Sequence, residues 1–368
     1  MKIEKVNLYL VKLKLKEEFE ISSGVSKEVF RILIEILSEN LSGWGEVSLP
    51  KKPFYSYEYI NSSLETLKNF LLPVLKNKKL SDLKDLNKIY KHIKGYNFSK
   101  CAIEQALMDL KSKMLGKPLW KLIGGKRDLI KSGVSIGIQK DKFALKDKIE
   151  KYLDEGYKRI KVKVSREKSF EYVEYSRLEL GYNFELWLDA NQDFEIEDIE
   201  EVNRFVDLGV VFVEEPFSHL FDYFVLKDKL KVKVCFDERI LSLRDLKLVD
   251  YLGLDLGRFL NLKMGRVGGW GESLDILRYG YDNGWRVWVG GMLETGIGKM
   301  HSLHLCSREE VWGVPDISES QRYWEEDIIE PPLKFFKKGY FKLPEKPGLG
   351  VEIKKDLIEK NLVLKLTF

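Results

Sequence analysis

The sequence predicts an α/β protein in which a closed barrel of parallel strands follows a smaller α+β unit. Short apolar runs alternate with amphipathic stretches over about 190 residues, which is typical of parallel β/α structure. Eight such runs occur, and that number favours a closed barrel over an open doubly wound sheet. No GxGxxG motif opens the first helix of the series, so a dinucleotide-binding fold is disfavoured.

The amino-terminal region reads first as strands and then as helices. Val6, Leu8 and Leu10 alternate with polar neighbours, and a similar alternation recurs in residues 30–40. Helical spacing of apolar residues begins near Tyr57 and continues to about residue 115, before a Gly-Lys-Pro stop signal. These patterns predict an α+β unit over residues 1–124.

The barrel is predicted to occupy residues 125–322. Its strands are expected at VSIGI (134–138), RIKVKV (159–164), FELWLDA (184–190), VVFVEEP (210–216), VKVCFDE (232–238), RFLNLK (258–263), WRVWVGG (285–291) and VWGVPD (311–316). The repeat then stops, and we expect residues 323–368 to return and complete the amino-terminal unit.

Composition excludes several classes of function. The 368 residues are 44% hydrophobic and 33% charged, and 62 basic against 58 acidic residues leave a formal net charge of +4. This balance argues against the basic face of a nucleic-acid-binding protein. The three cysteines form no CxxC pair, which indicates a reducing compartment, and no apolar run suits a membrane span or signal peptide. We therefore expect a cytoplasmic protein without nucleic-acid or membrane partners.

Acidic residues recur at the carboxyl ends of the predicted strands, where the active sites of such barrels lie. Asp189, Glu214 and Asp237 end three successive runs about 25 residues apart, so they should stand side by side on one rim. One such acid alone is more often a solvated loop residue, but three in register favour a site. Three carboxylates make an oxygen-only site that suits Mg²⁺, and no His or Cys has a spacing that suggests zinc.

Three lysines accompany these acids. Strand alternation puts Lys161 and Lys163 on one face of their strand. Lys263 ends a strand four places further on, so Lys163 and Lys263 should face each other across the cavity. A lysine beside another lysine and a divalent cation should have a lowered pKa and act as a base near neutral pH. Such a site would remove a proton next to a carboxylate and stabilise the resulting enediolate.

Neighbouring residues carry weaker signals. Glu215 is interpreted either as a second acid behind Glu214 or as a surface residue. Arg266 follows Lys263 by three residues, and it either lowers the pKa of that lysine by repulsion or faces solvent. Tyr55 is assigned to the core or the cap.

These motifs resemble those of the enolase superfamily, in its muconate-lactonising subgroup. The matching segments are Lys161-Val-Lys163, Leu188-Asp189-Ala190-Asn191, Glu214-Glu215-Pro216, Asp237-Glu238 and Asn261-Leu262-Lys263-Met264-Gly265-Arg266. Within the subgroup, residues 291–298 (GMLETGIG) and 316–332 are similar to the o-succinylbenzoate synthase and N-succinylamino acid racemase family. The resemblance covers nearly the whole chain.

The resemblance implies a (β/α)₇β TIM-like barrel with an α+β capping domain built from residues 1–124 and 323–368. Lysine or histidine bases beside Mg²⁺ are an established feature of this superfamily. The implied Mg²⁺ ligands, with Mn²⁺ as a substitute ion, are Asp189, Glu214 and Asp237. The implied catalytic residues are Lys163, Lys263 and the assisting Lys161. The implied substrate-lining residues are Ser135, Asn191, Gly291, Met292 and Leu293, and the candidate modulators are Arg266 and Glu238.

The implied activity is the Mg²⁺-dependent, syn-type dehydration of 2-succinyl-6-hydroxy-2,4-cyclohexadiene-1-carboxylate to 2-succinylbenzoate through an enediolate, in menaquinone biosynthesis. N-succinylamino acid racemase, alone or in the same protein, is the first alternative, because Arg266 resembles the racemase-capable branch. Dipeptide epimerase is the second; Asp316 is a single candidate for the acidic pair that such enzymes carry. A barrel that only binds a ligand is disfavoured because all five charged positions are present.

Three departures from the family pattern bear on substrate identity. Arg239 stands where the family has a small serine, residues 318–320 read Ser-Glu-Ser where a proline is commoner, and residues 19–24 match only in part. The expected partner is a small carboxylate substrate, and we expect a homo-oligomer.

Overall fold

The computed structural model describes residues 1–21, 24–80, 82–166, 168–254 and 256–368, with side chains outside residues 17–26. Ser22 and Ser23, which belong to the segment that departs from the family pattern, lie outside the described residues. Among the helices described, none has both the length and the apolar character needed to cross a membrane.

The amino-terminal unit is an antiparallel sheet packed against helices. It contains β1 (Lys5–Ile21), β2 (Gly24–Ser38), β3 (Leu41–Val47), α1 (Ile60–Thr66), α2 (Leu83–Tyr90), α3 (Asn97–Met114) and α4 (Leu119–Leu122). Val6 and Leu8 pack with the helices, whereas Tyr9 and Val11 on the other face belong to the core shared with the barrel. Gly45 lets α3 approach β3, because a Cβ there would overlap the carbonyl oxygen of Ala102.

The barrel strands follow the short strand β4 (Leu129–Lys131). They are β5 (Gly133–Ile136), β6 (Arg159–Lys163), β7 (Leu186–Asp189), β8 (Val213–Glu214), β9 (Val234–Phe236), β10 (Phe259–Leu262) and β11 (Arg286–Val289). The helices are α5 (Lys142–Glu155), α6 (Ser169–Leu180), α7 (Ile199–Arg204), α8 (Leu220–Leu226), α9 (Leu243–Tyr251), α10 (Met264–Val267), α11 (Trp270–Asp282) and α12 (Gly296–Leu305). Within the described residues β5 to β11 form one sheet in chain order, with parallel pairs throughout.

The predicted eighth strand at 311–316 is an irregular segment. It still bridges the two ends of the sheet, because the N–H of Trp312 donates to Val287 O (2.7 Å) and the N–H of Gly133 donates to Pro315 O (3.0 Å). Gly313 has a φ of 70°, and Pro315 lacks the N–H that a regular ladder needs. The fold class predicted from the sequence is confirmed, with this segment closing the barrel.

The carboxy-terminal chain returns to the amino-terminal unit. It forms β12 (Ile329–Glu330), β13 (Tyr340–Lys342), β14 (Glu352–Ile353), α13 (Lys355–Lys360) and β15 (Leu362–Thr367). β15 pairs antiparallel with β1, which gives the cap sheet the order β15-β1-β2-β3. The domain boundaries at 124/125 and 322/323 stay a prediction.

An aromatic layer fills the barrel interior below its mouth. Its buried residues are Trp187, Phe212, Cys235, Phe259 and Trp288. Side chains two positions apart on a strand share a face, so the residue that follows each of these by two faces the same interior, one layer nearer the carboxyl ends. Those following residues are Asp189, Glu214, Asp237, Asn261 and Gly290. The strand register therefore places the predicted acids at one mouth.

Candidate active site

Lys161 lies between two of the predicted metal ligands. Its Nζ is 3.0 Å from Asp189 Oδ2, and 3.2 and 3.1 Å from the two oxygens of Glu214. Lys163, two residues on, places its Nζ 2.9 Å from Asp189 Oδ2. The structure thus brings both lysines of β6 to the same carboxylate, as their shared strand face predicts.

The third acid, Asp237, is paired on the other side of the mouth. Lys263 donates from Nζ to Asp237 Oδ2 (2.6 Å) and to Tyr55 Oη (3.2 Å). The Arg266 guanidinium contacts Asp237 Oδ1 and donates from Nε to Ile240 O (3.0 Å). Arg266 is therefore a buried residue of the site and not a solvent residue.

Asn191 and Glu238 extend the polar mouth. Asn191 accepts a hydrogen bond from Lys163 Nζ and donates from Nδ2 to Glu238 Oε1 (3.0 Å). The other oxygen, Glu238 Oε2, is buried without a hydrogen-bond partner in the described part of the chain. Burial raises the pKa of Glu238 to about 7, although the charge of Lys263 opposes the shift.

The charges of three lysines act on the pKa of Asp189. Burial alone would raise the pKa of Asp189, but the charges of Lys161, Lys163 and Lys263 hold it below its ordinary value. Lysines from strands four places apart therefore act on the same carboxylate.

The lowered lysine pKa values expected from the sequence assumed a nearby divalent cation. The protein's own charged groups act in the opposite direction and raise the pKa of Lys161 and Lys263. Burial alone would lower the pKa of Lys161, but the charges of Asp189 and Glu214 outweigh it and raise the pKa. Burial would likewise lower the pKa of Lys263, but Tyr55 and nearby carboxylates raise it. The sequence showed the lysines but not how closely each carboxylate would pair with them.

Glu215 holds the backbone of a predicted metal ligand. Its Oε2 accepts the backbone N–H of Asp237 (2.6 Å), and its Oε1 accepts Nε of Arg239 (2.8 Å) and the hydroxyl of Tyr223 (3.0 Å). Of the two interpretations offered for Glu215, the buried acid behind the site is the correct one. Arg239, the departure from the family serine, supplies its counter-ion.

The predicted substrate-lining residues lie at the ends of β5, β7 and β11. Ser135 donates from Oγ to Asp316 Oδ2 (2.6 Å), and Asp316 Oδ1 is 3.7 Å from the buried guanidinium of Arg159. Residues 291–293 directly follow Gly290, whose N–H donates to Leu262 O (3.0 Å). The assignment of Ser135, Asn191 and residues 291–293 to substrate stays a prediction.

The three predicted ligands fit a hard cation by chemistry, since all are carboxylates at neighbouring strand ends. Asp189 and Glu214 already share one positive charge, the Lys161 ammonium. Asp237 pairs instead with Lys263 and Arg266. With the acids paired in this way, no three His, Cys, Asp or Glu side chains among the described residues are grouped to hold an ion. The ligand assignment therefore stays a prediction.

Two residues of the site were missed as site residues. Asn261 donates from Nδ2 to Glu214 Oε1 (2.7 Å). Its sequence position could have identified it, because it precedes Lys263 by two residues and so shares the inward strand face with that lysine. Tyr55 reaches Lys263 from the cap, a contact between residues 208 apart in sequence that no local pattern indicates.

Comparison with known proteins agrees with this architecture. Residues 5–124 match the family model of the mandelate racemase / muconate lactonizing enzyme N-terminal domain, and residues 144–357 match that described as enolase C-terminal domain-like. The chain is 33% identical over 362 residues to an N-succinylamino acid racemase from Thermus thermophilus, covering 98% of this chain and 97% of that protein. It is also 33% identical over 363 residues to an o-succinylbenzoate synthase from Bacillus subtilis, covering 98% and 96%.

A solved structure shows the same likeness in three dimensions. The crystal structure of an enolase-superfamily member from Listeria innocua superposes with a TM-score of 0.94 at 32% identity, and the match covers 100% of this chain and 98% of that one.

Proposed function

Because the chain belongs to the enolase superfamily, we propose that this enzyme is an o-succinylbenzoate synthase. It would dehydrate 2-succinyl-6-hydroxy-2,4-cyclohexadiene-1-carboxylate to 2-succinylbenzoate in menaquinone biosynthesis. The chemistry is supported by one observation above all: at one barrel mouth, Lys161 and Lys163 lie 3.0 and 2.9 Å from Asp189 Oδ2, and Lys263 lies 2.6 Å from Asp237 Oδ2. The choice of substrate is supported by the full-length relatives of that name.

In this proposal one of Lys163 and Lys263, as the uncharged amine, takes the proton next to the substrate carboxylate. The electrons of the C–H bond pass to the carboxylate as an enediolate. They then form the new ring C=C bond as the C–O bond breaks, and the departing hydroxide together with the abstracted proton makes up the water that is lost. The lysine ammonium groups that remain charged stabilise the enediolate. Tyr55 and Asp237 hold the Lys263 amine in place, and Asn191 does the same for Lys163.

Members of the superfamily generally use Mg²⁺. We propose Asp189, Glu214 and Asp237 as its ligands, with Mn²⁺ as a substitute. The bound ion would supply positive charge next to the substrate carboxylate and so favour proton loss.

N-succinylamino acid racemase is the second candidate, alone or in the same protein. Two lysines that are predicted to face each other across a cavity suit removal of a proton from one face of a carbon and its return to the other. Arg266 lies in the site beside Asp237, and two full-length relatives carry the racemase name. Dipeptide epimerase is less favoured, because Asp316 is engaged by Ser135 and Arg159 instead of being available to a substrate amine.

Two assays on the purified protein with Mg²⁺ separate the first two candidates. Loss of the cyclohexadiene is followed by absorbance, and deuterium uptake at the α-carbon of N-succinyl amino acids is followed by NMR. We expect rapid loss of the diene that stops after chelation. Absence of dehydration together with rapid exchange would replace the synthase proposal with the racemase. The cytoplasmic location and the homo-oligomer stay predictions, and light scattering tests the latter.

A further inference from the structure

Arg31, on β2 of the cap, reaches the segment that follows barrel strand β11. Its side chain is only 2% exposed. Nη2 donates to the carbonyl oxygens of Met292 (3.1 Å) and Leu293 (2.8 Å), while Nη1 donates to Phe30 O (2.7 Å) and Leu49 O (3.1 Å) in the cap. A single guanidinium thus joins the cap to two consecutive carbonyls of the barrel mouth.

Glu46, on β3, holds the same segment from its other end. Glu46 Oε1 is 3.4 Å from Arg31 Nε and accepts the backbone N–H of Thr295 (3.1 Å). Its Oε2 accepts the hydroxyl of Thr295 (2.6 Å) and the backbone N–H of Gly298 (3.0 Å). The buried Arg31–Glu46 pair therefore binds carbonyl groups before residue 294 and N–H groups after it.

The segment between these contacts has a conformation that needs support. Leu293 has a φ of 57°, in the left-handed region that leucine rarely adopts, and such a conformation persists where the surroundings hold it. Met292 packs against the apolar core of the cap. Residues 291–293 lie at the carboxyl end of β11, on the side of the barrel where the charged groups gather.

We propose that Arg31 and Glu46 are positioning residues that set the shape of the 291–293 wall of the pocket and thereby the affinity for substrate. This inference rests on the proposed function in one respect, namely that residues 291–293 face the substrate. Neither residue touches the reacting atoms. Arginine suits this role because its planar group presents several donors at fixed angles, whereas lysine offers a point charge.

The test compares Arg31→Met with Arg31→Lys and a matched control, Glu104→Gln. Glu104 is also a buried cap residue that contacts the barrel, but it binds the N–H of Gly271 in α11. We expect Arg31→Met to raise KM about tenfold with kcat changed less than about threefold, because the wall binds ground state and transition state alike. Amide hydrogen exchange in the peptide 291–298 should become about tenfold faster. Arg31→Lys should fall between. Glu104→Gln should match the wild type in KM, and it should match in hydrogen exchange near pH 5, where the two proteins have nearly equal stability.

Several outcomes would overturn the inference. A folded Arg31→Met protein with unchanged KM and unchanged hydrogen exchange would overturn it. An equal rise of KM in Glu104→Gln would also overturn it, because that result would indicate general loosening of the cap. If Arg31→Met does not fold, Glu46→Gln and Arg31→Lys carry the same comparison. If the wild type turns over neither candidate substrate, the proposed function fails, and hydrogen exchange alone then decides whether the pair holds the segment.

Discussion

Glu104 joins the cap to the barrel, and its burial makes stability depend on pH with a definite sign. It lies on α3, is 5% exposed, and accepts the N–H of Gly271 in α11 at 3.0 Å. Burial raises the pKa of Glu104 from 4.5 to about 7, although the backbone hydrogen bonds oppose the shift.

The folded protein therefore keeps a proton that the unfolded chain releases between pH 4.5 and about pH 7. Because the folded-state pKa is the higher of the two, this contribution to stability is fully present below pH 4.5 and is lost as the pH rises through about 7. At about 1.4 kcal/mol per pH unit the loss is about 3 kcal/mol. For a chain of 368 residues this free energy corresponds to about 4 °C in Tm.

Glu104→Gln removes the titration but keeps an oxygen for the N–H of Gly271. Calorimetry of wild type and variant should give nearly equal Tm values near pH 5, with the variant more stable by about 4 °C at pH 8. Glu325→Gln, the same change at an exposed position, is the control and should show no such divergence. The reasoning would be refuted if the Tm difference between wild type and variant did not change with pH. It would also be refuted if the Tm of the wild type rose relative to that of the variant as the pH rises.

Two further predictions concern the site. Mg²⁺ at one hundred times its Kd should raise the unfolding free energy of the wild type by about 2.7 kcal/mol, and that of Asp237→Asn by less. Thermal denaturation with and without a chelator measures this gain. An equal gain in Asp237→Asn would contradict the ligand assignment. Arg239→Ser leaves the buried Glu215 without its ion-pair partner, so it should lower the free energy of unfolding, measured in urea, by about 3 kcal/mol. Arg239→Lys should lower it by less. A serine variant as stable as the wild type would show that Arg239 is not the counter-ion.

The site could be predicted from sequence because it follows strand periodicity. Lys161 and Lys163 share a strand face, and Asp189 and Glu214 follow inward aromatic residues by two positions, so the register alone puts them at one mouth. The fold class followed from the same alternation of strands and helices.

Other features depend on contacts that no local pattern records. The segment 311–316 looks like a strand, but Gly313 and Pro315 prevent a regular ladder. The approach of Tyr55 to Lys263 and of Arg31 to Leu293 depends on how the cap docks on the barrel. The raised lysine pKa values likewise depend on carboxylate distances that only the folded structure supplies.

In the proposed dehydration one of Lys163 and Lys263 is the base and the other is a charge that stabilises the enediolate. The dehydration rate of Lys163→Ala and Lys263→Ala with saturating Mg²⁺ tests that proposal most directly. Each rate should fall by about 10³-fold or more with the circular dichroism spectrum unchanged. Lys113→Ala, which removes a lysine paired with Asp109 in the cap, is the control and should stay within about threefold of the wild type. A near-normal rate in either active-site variant would contradict the assignment of the two lysines.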